Sequence, residues 1–143
     1  MTGITHITTS VVLYLMLDSP APVGILISGA SALLPDVDHA KSTLGGFIPG
    51  YLIWKHRGFT HSLIALMIVS ALSIVLLPLS LALAMIIGYG SHIALDILNH
   101  QGCQFLWPNP RKYRLAAMRT GSLWEYILIV VVVATLVVMK GGM

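Results

Sequence analysis

The sequence predicts an all-α chain, a polytopic membrane bundle of about five apolar helices with its polar residues gathered at the helix ends on one side. Three observations carry that expectation. Apolar residues make up 57% of the 143 residues and charged residues only 9%, against roughly a quarter charged in an ordinary soluble domain. The mean hydropathy is +0.89, which is more apolar surface than so short a chain could hide from water. Apolar stretches alternate with short breaks rich in proline, glycine and charge, and the acids and histidines crowd the ends of those stretches. The length suits one domain over residues 1–143.

The elements follow in order. A first apolar helix is expected from about Ile4 to Leu17, closed by the breaker-rich turn Asp18-Ser19-Pro20-Ala21-Pro22. Val11 to Leu17 could pass for the core of a signal peptide, but no Lys or Arg precedes it, so cleavage is not expected. A second helix runs from about Val23 to Leu34 and is stopped by Pro35. A polar, glycine-rich stretch, Asp36 to Gly58, follows, with a semi-apolar patch from Phe47 to Trp54. The third helix, about Thr60 to Leu77, has Thr60 as its expected N-cap and ends at Pro78. The fourth covers about Leu79 to Leu98. A loop at 99–122 holds Arg111, Lys112, Arg114 and Arg119, and the fifth helix, about Ser122 to Met139, is a nearly continuous β-branched run. A full span needs about 20 apolar residues. The last three segments approach that. The first two are shorter and are expected to span with the help of their polar ends, a re-entrant pair being the alternative.

If each segment crosses once, one side collects His6, then Asp36, Asp38 and His39, then His56, Arg57 and His61, then His92, Asp96 and His100, and finally Glu125. All histidines are there, as are all acids except Asp18 and all Lys and Arg except Lys140. The positive-inside bias then puts this side and the N-terminus in the cytoplasm of a multi-pass inner-membrane protein. Trp54, Trp107 and Trp124 read as interfacial anchors, and the basic loop suits anionic headgroups. Membrane lipids are the expected partners, with no specific nucleic acid. The single cysteine, Cys103, excludes an intrachain disulfide.

Three clusters carry chemistry. Pro35-Asp36-Val37-Asp38-His39 sets two carboxylates and an imidazole on backbone that the proline keeps irregular, and those groups are the ligands of zinc, manganese or iron. His92, Asp96 and His100 are four apart along helix 4 and share one stripe, although His100 could already lie beyond the helix end. In His56-Arg57-Gly58-Phe59-Thr60-His61-Ser62, Gly58 lets the chain bend. That bend places His56 in the loop and His61 in the first helical turn. Arg57 beside the free N–H groups of helix 3 would make an anion site. His6 joins through the shared side. Glu125 reads as an acid that supports a metal ligand from behind, as a partner for Arg119, or as a favourable first-turn acid.

Four stretches, LLPDVDHAKSTLG, HRGFTHSLIA, GYGSHIALDIL and FLWPNPRKYRL, in this order between apolar segments, resemble the YdjM family of bacterial inner-membrane metal-dependent hydrolases. That family is similar at motif level to zinc-dependent phospholipases C. The resemblance implies metal-ligand roles for Asp36, Asp38, His39, His56, His61, His92 and Asp96, and His6 fits the family's habit of a histidine before the first apolar segment. His100 departs from members that lack a histidine there.

These readings together predict a divalent-metal site holding two or more ions, zinc first and manganese as the alternative. The metal ligands are His6, Asp36, Asp38, His39, His56, His61, His92 and Asp96. Asp38, Arg57 and His61 are the expected catalytic residues, with Arg57 and the helix 3 N-terminus holding the substrate anion. The expected substrate is a small-molecule or lipid phosphoester. A metal-ion transporter, or a metal-binding membrane protein without hydrolysis, is the alternative. Substrate and oligomeric state stay open.

Overall fold

A computed structural model describes residues 1–42, 44–46, 52–53, 55–115 and 118–141. Its helices are α1 (Gly3–Leu15), α2 (Pro22–Ser31), α3 (Leu63–Leu76), α4 (Leu79–Leu98) and α5 (Leu123–Gly141), and its short 3-10 turns include η1 (Leu34–Asp38) and η2 (Phe59–His61). No strand occurs among the described residues, where the only β pairings are the isolated bridges Asn99–Met118 and Cys103–Tyr113. The all-α expectation holds.

Local chemistry sets the boundaries. Thr2 Oγ1 accepts from Thr5 N and caps α1. Pro22 opens α2, where its fixed φ suits the first turn and its missing N–H costs nothing. The second helix stops at Ser31, and the chain tightens into η1 instead of continuing to Leu34. The expected N-cap of helix 3 is corrected: Ser62 Oγ accepts from Ala65 N at 3.2 Å, because the Thr60 hydroxyl is already given to Asp38. His61 accordingly lies in η2 and not in the first turn of α3.

α4 is the central helix, with α1, α2 and α3 packed around it and α5 laid against α1. Small and hydroxyl side chains line the α1–α2–α4 seam. Ser10 Oγ donates to the Ser28 carbonyl and Ser28 Oγ to the Ser10 carbonyl. A Cβ at Gly88 would collide with Ser31 Oγ and the Ser28 carbonyl. This close approach is the packing mode available where the hydrophobic effect gives helices no reason to associate.

Polar contacts fix the helix directions. Glu125 at the start of α5 holds Thr2 and Thr5 at the start of α1, while Lys140 at the other end donates to the Leu17 carbonyl at 3.1 Å. Tyr14, late in α1, donates to the Ser80 carbonyl early in α4. The starts of α1, α3 and α5 and the ends of α2 and α4 therefore share one end of the bundle.

Lengths correct the expectation of five full spans. Among the described residues, only α4, with 20 residues, and α5, with 19, are long and apolar enough to cross a membrane. α1, α2 and α3 have 13, 10 and 14 residues, or about 20, 15 and 21 Å at the helical rise, short of a hydrocarbon core of about 30 Å. The breakers at 18–22, Pro35 and Pro78 are the cause. α5 leaves Val130, Val137 and Val138 bare on its outer face. Trp107 and Trp124 are exposed, as interfacial anchors would be. Trp54 and, apart from residues 52–53, the Phe47 to Trp54 patch lie outside the described residues.

Candidate metal centre

The 3-10 turn η1, the turn before η2, and the site ends of α1 and α4 bring their acids and imidazoles together. Two neighbouring groups result: Asp36, Asp38, His56 and His61, and His6, His92 and Asp96. His61 faces both. Its Nε2 stands 3.5 Å from Asp36 Oδ1, 3.4 Å from Asp96 Oδ2 and 3.2 Å from His92 Nε2. His92 Nε2 in turn is 3.6 Å from Asp36 Oδ1 and 3.9 Å from Asp96 Oδ2. Ligands at zinc's usual bond lengths, about 2.0–2.1 Å in a tetrahedron, stand about 3.3 Å from one another. The His61 and His92 imidazoles stand at nearly that spacing from each other and from Asp36 and Asp96.

Hydrogen bonds decide which ring nitrogen faces inward. His92 Nδ1 donates to the Ala32 carbonyl at 2.6 Å, which leaves Nε2 for the centre. His61 Nδ1 lies against Thr60 Oγ1 and Asp38 Oδ2, and His56 Nδ1 donates to Asp38 Oδ1 at 2.8 Å. Two inward imidazole nitrogens 3.2 Å apart need either a hydrogen or a metal ion between them. Buried His6 Nδ1 and Asp96 Oδ2 have no hydrogen-bond partner, although buried polar atoms ordinarily find one. The donor set, its spacing and these orphaned atoms fit a divalent ion.

Asp38 is fastened on both oxygens. Oδ1 takes His56, and Oδ2 takes the Arg57 backbone N–H at 3.0 Å and the Thr60 hydroxyl. Arg57 reaches that position at a φ of 61°, a left-handed conformation rare for a residue with a side chain. The bend assigned to Gly58 is shared with Arg57: Gly58 lies outside the helical and extended regions at φ −95° and ψ −121°. A Cβ on Gly58 would also meet the Lys55 carbonyl. Burial alone would lower the His61 pKa. The Asp36 and Asp38 carboxylates outweigh it and raise it to about 9. Burial likewise opposes ionisation of Asp36, and the His61 hydrogen bond and the neighbouring His92 overcome it, bringing its pKa to about 2. Asp38 is also held below the usual carboxylate range, against its burial, by His56 and His61. Burial pushes the Cys103 thiol up to about 12, so it stays protonated and inert.

The anion site expected at Arg57 is corrected. The guanidinium is buried, with Nη2 donating to Asp96 Oδ1 at 3.1 Å and Nη1 to the Gly102 carbonyl at 3.3 Å. At the N-terminus of α3, Leu63 N donates to the Phe105 carbonyl and Ala65 N to Ser62. Both features are thus largely engaged, although Arg57 lines the cavity and its Nε has no hydrogen-bond partner. His39 is a second correction. It joins neither group and sits half-buried at the rim, its ring 4.5 Å from that of His56. The extended backbone after η1 carries it outward. His6 is brought in, stacked on His92 with ring centroids 3.8 Å apart. His100 stays outside both groups.

Sequence reasoning missed three supports. Thr60 holds Asp38. Tyr89, one turn before His92 on the same face of α4, donates to the Thr60 carbonyl at 2.5 Å and pins η2 to the central helix. The Met1 amino group lies 3.2 Å from Asp96 Oδ1. The spacing of Tyr89 from His92 could have signalled the second. The other two are tertiary and have no local signature.

A cavity of about 280 Å³ opens over the centre, and its walls include His6, Asp36, His39, Lys41, His56 and Arg57. Lys41 makes no hydrogen bond or ion pair among the described residues.

An all-helical chain with two helices fit to cross a bilayer and a buried His/Asp cluster at one end of the bundle defines a membrane protein with a candidate metal centre. The chain belongs to the YdjM inner membrane protein family, which it matches over residues 1–143. It is 33% identical over 143 aligned residues to the uncharacterized protein YvsG of Bacillus subtilis (strain 168), covering 90% of this chain and 88% of that protein. It is 38% identical over 96 residues to the inner membrane protein YdjM of Escherichia coli (strain K12) and to that of Shigella flexneri, covering 59% of this chain and 49% of each of theirs. The alignment thus spans about half the length of these two relatives. No solved structure matches the chain.

Proposed function

We propose that the chain is a membrane-bound metal-dependent hydrolase that cleaves a phosphoester in a lipid-like or interfacial substrate. One observation carries the reading: His61, His92, Asp36 and Asp96 converge at metal-ligand spacing beneath a cavity, at the end of an apolar bundle. Divalent ions there, zinc first and manganese as the alternative, would supply Lewis acidity and a water ionised near neutral pH. The chain's own residues do the rest. Asp36, His61, His92 and Asp96 bind, and His6 and His56 extend the set. Asp38, with both oxygens engaged, orients His56 and His61 and is not placed to take a proton itself. Arg57 holds Asp96 in place. Lys41 lines the cavity, makes no hydrogen bond or ion pair among the described residues, and receives the substrate's anionic oxygen. The small cavity suits a headgroup, and the apolar helices beside it suit a lipid tail.

In this reading the protein is a multi-pass protein of the bacterial inner membrane. α4 and α5 cross, and α1 with its following turn accompanies α5 from Thr5 to Leu17. The site end carries all Lys and Arg except Lys140, which orients it and the N-terminus to the cytoplasm. The transport alternative gains nothing from this geometry, because transport sites lie near the midplane and these ligands gather at one end.

Elemental analysis of the purified protein beside an Asp38→Ala variant, paired with a hydrolysis panel of phospholipids, prenyl phosphates and nucleotides, tests the proposal. Bound zinc or manganese and cleavage, both reduced in the variant, are expected. A wild-type protein that holds no metal, or that is loaded and cleaves nothing in the panel, overturns it.

A further inference from the structure

Glu125 is the one acid on α5, and it is only 1% exposed. Its Oε1 accepts from Thr2 N at 2.6 Å and from Thr5 Oγ1 at 2.5 Å, and its Oε2 accepts from Gly121 N at 2.6 Å. One carboxylate therefore joins the loop before α5, the first turn of α5 and the first turn of α1. Gly121 adopts a φ of +76° to aim its N–H at this carboxylate, a conformation that glycine reaches at no steric cost. His6 follows Thr5 directly. Its ring stacks on His92, and its Nε2 stands 3.8 Å from Asp96 Oδ1. Helix α5 itself offers no ligand to the centre.

We infer that Glu125 is a positioning residue: by clamping Thr2 and Thr5 it sets the rotation and depth of α1 that present the His6 imidazole to His92 and Asp96. The inference rests on the metal-centre reading above. The side-chain type follows from the geometry. Three donors converge on two oxygens, which only a carboxylate accepts in full, whereas an amide turns two hydrogens toward one of them. An acid serving merely as a favourable charge in the first helical turn would be solvated and would have no need of these three partners. Carboxylates that orient metal-binding histidines from behind act in the same manner, and their loss typically weakens metal binding about 10–100-fold.

Cobalt(II) titration of the purified full chain, followed by visible absorption, tests this. Glu125→Ala is expected to weaken cobalt binding about 10–100-fold, His6→Ala to do the same, and the double variant to lose little more than either single one. Combined with His56→Ala, the Glu125→Ala loss should instead multiply, because His56 is held by a different element. Glu125→Gln, which keeps one acceptor oxygen for Thr2 and Thr5, should lose less than Glu125→Ala. Unchanged cobalt affinity in Glu125→Ala, or losses that multiply with His6→Ala as fully as with His56→Ala, overturn the inference and leave the metal-centre reading standing. A second readout needs no metal. The imidazole NMR signal of His6, identified by its absence in His6→Ala, should shift in Glu125→Ala while that of His39 stays in place, and an unshifted His6 signal overturns the inference. If the wild-type protein binds no cobalt, the metal-centre reading fails and the NMR comparison alone decides whether Glu125 positions His6.

Discussion

The two halves of the candidate centre are built by opposite means. Asp36, Asp38 and His56 come from 3-10 and turn backbone, where a few residues supply several donors but nothing in the local fold holds them still. They are fixed by added hydrogen bonds: Asp38 by His56, Arg57 N and Thr60, and the Asp36 carbonyl by Ser42 Oγ. His6, His92 and Asp96 come from α1 and α4, whose serine- and glycine-lined packing already fixes them. There, His6 Nδ1 and Asp96 Oδ2 are left without hydrogen-bond partners. The turn half is fastened and faces the cavity. The helix half is rigid and unsatisfied. A centre of this kind keeps its binding capacity where the scaffold is stiffest.

Arg57 is the residue that crosses between the halves, with its backbone on Asp38 and its guanidinium on Asp96. Its removal is the largest effect expected. Breaking a buried ion pair costs about 3–5 kcal/mol, and Arg57→Ala should fall near the low end because the Met1 amino group remains beside Asp96. Chemical unfolding in detergent without added metal would measure the loss. Added zinc should restore part of it, since a bound cation neutralises the same carboxylate. If the variant is as stable as the wild type, or if zinc restores nothing, Asp96 is not the charge-deficient member of the helix half and the contrast fails.

The next effect is one of pH, and it belongs to His61, which faces both halves. The Asp36 and Asp38 carboxylates raise its pKa to about 9 despite burial, so at pH 7 the protein without metal carries a proton there. An ion taking Nε2 must expel that proton. Apparent metal affinity should therefore rise about tenfold per pH unit below pH 9 and flatten above it. The sign for folding is the reverse. The raised pKa stabilises the metal-free fold fully below the unfolded value of 6.5, and this contribution is lost as the pH climbs through about 9. Zinc titrations between pH 6 and 9 would settle the slope, and a flat profile would place the binding nitrogen elsewhere.

The turn half was more legible in the sequence than the helix half, and the reason is physical. Asp36, Asp38, His56 and His61 announce themselves as polar knots beside apolar runs, and burying such groups is costly enough to demand a cause. His92 and Asp96 could be read from their four-residue spacing on one helix face. Apart from the family resemblance, His6 was reachable only by alternating the helix directions, and the structure keeps that alternation among the described helices even though three of them are too short to span. What composition could not show was which polar groups satisfy one another. Arg57 and Thr60 both looked available for a ligand or a helix cap, and both are consumed by Asp38 and Asp96. Whether a cation is free depends on tertiary partners, and no local pattern encodes it.

His39 gives the smallest expected effect and the sharpest probe of the turn half. It stands next to Asp38 in sequence and its ring tilts against that of His56, so motif spacing alone makes it a ligand. Geometry removes it: the backbone turns extended at φ −121° and ψ 112° after η1 and carries the ring to the cavity rim. Its loss should then resemble an ordinary partly exposed substitution, within about 0.5 kcal/mol, which is about a twofold change in metal affinity. A cavity-wall role would appear instead as a raised KM for the phosphoester at constant metal content. If His39→Ala loses metal as severely as Asp38→Ala, the turn half must close around the ion by rotating the backbone beyond Asp38, and the contrast between a fastened turn half and a rigid helix half would have to be redrawn with the turn as the moving part.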